Sequence, residues 1–124
     1  MKRNLILFLN DITDNIKNIE SFSFGLSKER FRSDILRQNA IMRCLEVIGE
    51  ATKNIPNSFR TKYPEIPWKK IAGFRDVLIH EYFGVKIDRV WNVIKKDLPD
   101  LKKKIIDIRR KMEGKVGDET SNNN

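Results

Sequence analysis

From Val90 to Met112 the apolar residues Val90, Ile94, Leu98, Leu101, Ile105, Ile108 and Met112 recur at steps of 4, 4, 3, 4, 3 and 4. Steps of three and four line one stripe of an α-helix, whereas a half-buried strand needs strict alternation. The near-heptad spacing suits packing within a bundle or between subunits. The same rhythm returns upstream. Leu5, Phe8, Ile12, Ile16 and Ile19 predict an amphipathic helix over 4–20. Phe31, Ile35, Met42, Leu45, Ile48 and Ile55 predict one long helix from an N-cap at Ser27 to about Asn54. Trp68, Ile71, Phe74 and Leu78 predict another ending near Ile79. No stretch alternates as a strand would, and no segment repeats. The expected fold is all-α: an up-and-down bundle of four principal helices plus a short connector helix.

The breaks in this pattern fall at turn residues. "SFSFG" separates the first two helices, and Pro56, Pro64 and Pro67 punctuate a short helical turn. Pro67 fits the first position of the next helix, where its missing N–H costs no hydrogen bond. Gly84 closes the following connection, and the last helix opens after Lys86. Pro99 lies inside the last apolar run and is expected to kink or divide it. Residues 1–113 read as one helical domain, and 114–124, "GKVGDETSNNN", as a disordered tail with no apolar anchor. Wide apolar stripes on the two terminal helices predict a homodimer. Phe74, Leu78, Val90, Ile94 and Leu101 are expected to be largely buried.

Composition narrows the chemistry. A chain of 124 residues supports one core. One cysteine, Cys44, excludes an intramolecular disulfide, and its apolar helical setting marks it as a small buried hydrophobe. One histidine and one cysteine cannot supply tetrahedral nitrogen and sulfur ligands, so no metal and no cofactor is expected. The apolar start Leu5–Leu9 is too short for a signal peptide, and no segment reaches membrane-spanning length. A cytoplasmic protein without a membrane partner is expected. The net charge of +8 favours a polyanionic partner: RNA, DNA or an acidic protein. Glu46 and Glu50 share a helix face, and without a histidine or metal set beside them they read as structural, solvated or paired with arginines.

The only histidine, His80, stands five residues after Arg75 and two before Tyr82. Histidine moves protons near neutral pH, and the arginine fork binds phosphate through two hydrogen bonds. Residues five apart on a helix are rotated by about 500°, or about 140° from each other. Arg75 and His80 therefore meet only if the helix ends near His80 or if two copies of the segment face each other. Spacing alone favours the plainer reading, an Arg75 paired with a carboxylate and a His80 capping a helix end.

The wider context is more specific. "CLEVIGEATKNI" followed by "YPEIPWKKIAGFRDVLIHEYFGVKIDRVWNVIKKDLPDL" closely resembles the HepT-like group of the HEPN superfamily, from about residue 4 to residue 110. "IGEA", "PEIPW" and the R-x4-H-x-Y signature "RDVLIHEY" carry the resemblance. Where the family often has Asn after the motif arginine, this chain has Asp76. The resemblance implies a metal-independent endoribonuclease toxin of a type VII-like toxin–antitoxin pair, acting on RNA from a cleft at a homodimer interface. Its antitoxin would be an MntA-type minimal nucleotidyltransferase that transfers AMP onto the motif tyrosine. Arg75 and His80 then take the catalytic roles, Asp76 supports them by orienting His80 or pairing Arg75, and Tyr82 is the AMP acceptor. A non-catalytic helical partner that binds and positions a nucleotidyltransferase is the alternative reading. A basic helical module that binds nucleic acid without cutting it is a third.

Overall fold

The computed structural model describes the backbone of residues 2–80 and 87–122, and the side chains of residues 4–75 and 87–114. Among the described residues seven α-helices follow one another: α1 (Lys2–Ser23), α2 (Lys28–Ser33), α3 (Ile35–Lys53), α4 (Asn57–Lys62), α5 (Trp68–His80), α6 (Ile87–Asn92) and α7 (Leu98–Asn122). A π-helical turn, Val93–Asp97, joins the last two. No strand occurs among the described residues. Four of these helices are long, as the apolar spacing predicts.

Helix α3 is central. It packs on α1 to one side and on α5 to the other, while α1 also lies against α7 and α2 touches both α3 and α6. The core is where the stripes meet: Leu9, Ile12, Ile16 and Ile19 of α1, Ile41, Leu45 and Ile48 of α3, Leu101, Ile105 and Ile108 of α7. Each such side chain contributes about 1.5–3 kcal/mol by leaving water. Val90, Ile94 and Leu101 are buried as expected, Phe74 is only half-buried at the edge of the core, and the side chain of Leu78 lies outside the described residues. Cys44 is buried, and desolvation pushes its thiol up, so it is held as a neutral hydrophobe. The stripes of α1 and α7, from which a dimer is expected, are consumed within the chain. A second copy would have to use other surface.

The long helix expected from Ser27 to Asn54 is divided. At Asp34 the backbone leaves the helical region (φ −100°, ψ 85°), ending α2 and starting α3. The Asp34 carboxylate caps α3 by accepting from the Arg37 backbone N–H at 3.0 Å. Gln38 then donates from its amide to the Phe31 and Arg32 carbonyls at 2.8 and 2.9 Å, the first of which also accepts from the Asp34 N–H at 3.3 Å. Because of this corner Ile35, counted in the apolar stripe, is 68% exposed. Ser27 does cap α2, its hydroxyl accepting from the Arg30 N–H. Gly25 ends the α1 connection at φ +70°, a conformation that costs other residues a Cβ clash.

Proline effects come out near where they are expected. Pro67 precedes α5, its carbonyl accepting from Ile71 N–H at 3.1 Å, so it is the residue before the first helical one. The last apolar run is divided, into α6, the π-turn and α7, just before Pro99. Lacking an N–H, Pro99 leaves the Lys95 carbonyl without its usual partner, and the ladder widens one turn earlier, where Leu98 N–H reaches Val93. That wide turn keeps Val93, Ile94 and Leu98 all facing the core. Helix α7 runs to Asn122, past residue 113 where the sequence suggests a boundary, and core packing among the described residues ends with Met112.

Candidate active site

Arg75 is positioned by the contact between α3 and α5. A Cβ on Gly49 would lie 2.7 Å from the Arg75 Cβ and 3.1 Å from its backbone nitrogen, closer than atoms tolerate. A glycine inside a helix costs about 1 kcal/mol relative to alanine. Here it lets the two backbones meet, with Arg75 lying directly over α3. This accounts for "IGEA" in physical terms: the glycine admits α5, and the next residue, Glu50, meets the arginine that α5 delivers.

Arg75 Nε lies 2.7 Å from Glu50 Oε2. The pair is open to solvent, with side chains 35% and 53% exposed. Pairs this exposed contribute at most about 1 kcal/mol to stability. No hydrogen bond joins the Arg75 terminal nitrogens to any other described residue. Arg75 borders an open groove of about 380 Å³ lined also by Phe8 and Asp11 of α1 and by Arg43, Glu46 and Glu50 of α3. Glu46 is engaged by Arg43 at 3.2 Å. Both carboxylates of the pair noted in the sequence are thus matched to arginines, and one of those arginines is the motif residue.

The other site residues are only partly placed. Asp76 and His80 belong to α5, which is continuous through His80. Their side chains lie outside the described residues, as does Tyr82 entirely. Five positions along an unbroken helix put His80 about 140° around the axis from Arg75. Among the described residues no group of three or more His, Cys, Asp or Glu side chains could hold a metal ion. No described helix is long and apolar enough to cross a membrane. Spacing picks out Glu50 only as half of a structural carboxylate pair and does not pick out Gly49; the signal available was a glycine in the middle of a helical run.

Three comparisons bear on this arrangement. The family described as Ribonuclease HepT-like matches residues 12–108, which include Gly49, Glu50, Arg75, His80 and Tyr82. A Thermococcus cleftensis protein named "Probable ribonuclease HepT" is 46% identical over 110 residues, covering 89% of this chain and 100% of that protein. A Methanocaldococcus jannaschii protein named as a candidate RNase is 45% identical over 114 residues, covering 92% and 94%. A candidate RNase of Caldanaerobacter subterraneus is 49% identical over 87 residues, covering 70% and 78%. No solved structure matches the chain. With the match spanning the central helices and the whole motif, the chain belongs to the HepT-like ribonuclease family.

Proposed function

We propose that this protein is a metal-independent endoribonuclease toxin that cuts RNA at a site built from Arg75 and His80 of two facing subunits. The observation that carries the composite site is the unbroken α5. Positions five apart on an ideal helix stand about 140° around the axis, a separation that a second, facing copy of the segment would bridge. A second copy related by a two-fold axis supplies the missing group. The partly exposed Arg75 side chain beside the groove fits the same reading.

RNA carries its own nucleophile. The 2′-oxygen attacks the adjacent phosphorus, the bond from phosphorus to the 5′-oxygen breaks, and a 2′,3′-cyclic phosphate forms beside a 5′-hydroxyl. One proton leaves the 2′-hydroxyl and one arrives at the departing 5′-oxygen. His80 of one subunit takes the first and His80 of the other gives the second. Arg75 holds the equatorial oxygens as charge develops on them. Asp76 orients His80 or pairs with Arg75.

Silencing comes from an MntA-type nucleotidyltransferase partner. The Tyr82 oxygen attacks the α-phosphorus of ATP, pyrophosphate leaves, and AMP stays on the ring. The added phosphate repels the RNA backbone and competes for Arg75. Purified protein incubated with RNA in excess EDTA tests the chemistry through its product ends. The expected ends are a 5′-hydroxyl and a 2′,3′-cyclic phosphate or its hydrolysis product. Ends bearing a 5′-phosphate would refute attack by the 2′-oxygen.

A further inference from the structure

We propose that Glu50 is the positioning residue for Arg75, holding its guanidinium at the Nε side so that the terminal nitrogens stay turned to the groove. The inference rests on the reading of Arg75 as the group that meets the RNA phosphate, and it adds a residue from a different helix to that site.

A carboxylate near a phosphate-binding arginine needs a reason, because it repels the substrate it sits beside. Its distance supplies one. Oε2 is 2.7 Å from Nε, the nitrogen nearest the backbone, and the terminal nitrogens hydrogen-bond to no other described residue. An arginine side chain has four rotatable bonds and sweeps a wide arc unless something fixes it. Two features fix this one. Gly49 lets the Arg75 Cβ rest on the α3 backbone, which sets the root of the side chain. Glu50, the next residue on α3, sets its far end. The nearby acid Glu46 is already matched to Arg43, so Glu50 is the carboxylate that Arg75 meets among the described residues.

Glu50 touches no reacting atom in this account. It acts through Arg75, so its loss lowers turnover and leaves capture of RNA nearly intact, since backbone attraction comes from many cations. Steady-state cleavage of a short RNA by native protein, Glu50→Ala, Glu50→Gln and Arg75→Lys, alone and combined with Glu50→Ala, separates the possibilities. Glu50→Ala is expected to lower kcat by about tenfold or more with KM changed less than about threefold. Glu50→Gln keeps the oxygen that meets Nε and should recover part of the loss. On the Arg75→Lys background, which lacks the guanidinium that Glu50 meets, Glu50→Ala should cost less than about twofold. Melting temperatures of all variants are expected within about 5 °C of native, as suits an exposed pair.

An unchanged kcat in Glu50→Ala, or equal losses on the native and Arg75→Lys backgrounds, overturns the assignment. A rise in kcat or a fall in KM also overturns it, marking the carboxylate as a competitor of substrate. If Arg75→Lys itself cleaves like native protein, the reading of Arg75 fails instead, and the two failures are told apart.

Discussion

Arg75 is worth following one atom at a time, because its root and its tip are set by neighbouring residues on α3. Gly49 touches the root and Glu50 the tip. An added methyl at residue 49 would strike Arg75 backbone as well as side chain, so no rotamer change relieves it. Gly49→Ala is therefore expected to cost about 1–3 kcal/mol of overpacking, offset in part by about 1 kcal/mol of helix propensity. The net result is a lower melting temperature together with slower RNA cleavage. A more stable, fully active variant would show that α5 shifts without consequence. Tyr82 belongs to the same scale. Tyr82→Phe keeps the ring but lacks the oxygen that would accept AMP. Intact mass after incubation with the nucleotidyltransferase, ATP and Mg²⁺ should show no AMP-sized gain on Tyr82→Phe and a clear one on native protein. Equal gains on both would place the acceptor elsewhere.

At the scale of the element, the apolar steps of three and four were enough to find every long helix, because core burial in this chain follows helical period from α1 to α7. The helix ends were harder to read. Asp34 divides a run whose periodicity gives no warning, since Ile35 continues the expected stripe yet turns to solvent. The clue was chemical: a short acceptor that can cap, placed just before an apolar run. Pro99 is another case where the physics was right and its location displaced, the lost hydrogen bond emerging as the π-turn at Val93–Asp97. The site was legible to the same degree. Arg75, His80 and Tyr82 stood out as a motif, while Glu50 looked like any surface carboxylate until α3 and α5 were brought together. The corner at Asp34 also carries a pH signature. The Arg37 backbone N–H, then its guanidinium, hold Asp34 below the usual carboxylate range. Hydrogen bonds from Arg32, at 2.8 and 2.9 Å, hold Asp88 low where α2 meets α6. Groups depressed in the folded state add stability above their unfolded pKa and lose it as pH falls through the folded value. Melting temperature should accordingly drop as pH falls below about 4. The double variant Asp34→Asn, Asp88→Asn should show a flatter acid limb, and an identical limb would rule these two contacts out as its source.

At the scale of the whole molecule, charge and groove have to be reconciled. The chain carries +8, yet the groove beside Arg75 holds three carboxylates, Asp11, Glu46 and Glu50, against the guanidiniums of Arg43 and Arg75. One copy's groove does not attract a polyanion by itself. In the proposed reading the attraction comes from cations elsewhere on the surface, and the catalytic groups from two copies brought together. With the stripes of α1 and α7 already buried, the proposed dimer would face through other surface, the motif segment included. The decisive question is whether the two motif residues do chemistry without a metal. The most direct measurement is single-turnover cleavage of a labelled RNA in excess EDTA by native protein, Arg75→Ala and His80→Ala side by side, each checked for native helical content. The account predicts cleavage by native protein and a loss of at least about 100-fold in each variant. Native-rate cleavage by His80→Ala, or native cleavage that vanishes with EDTA, would contradict it.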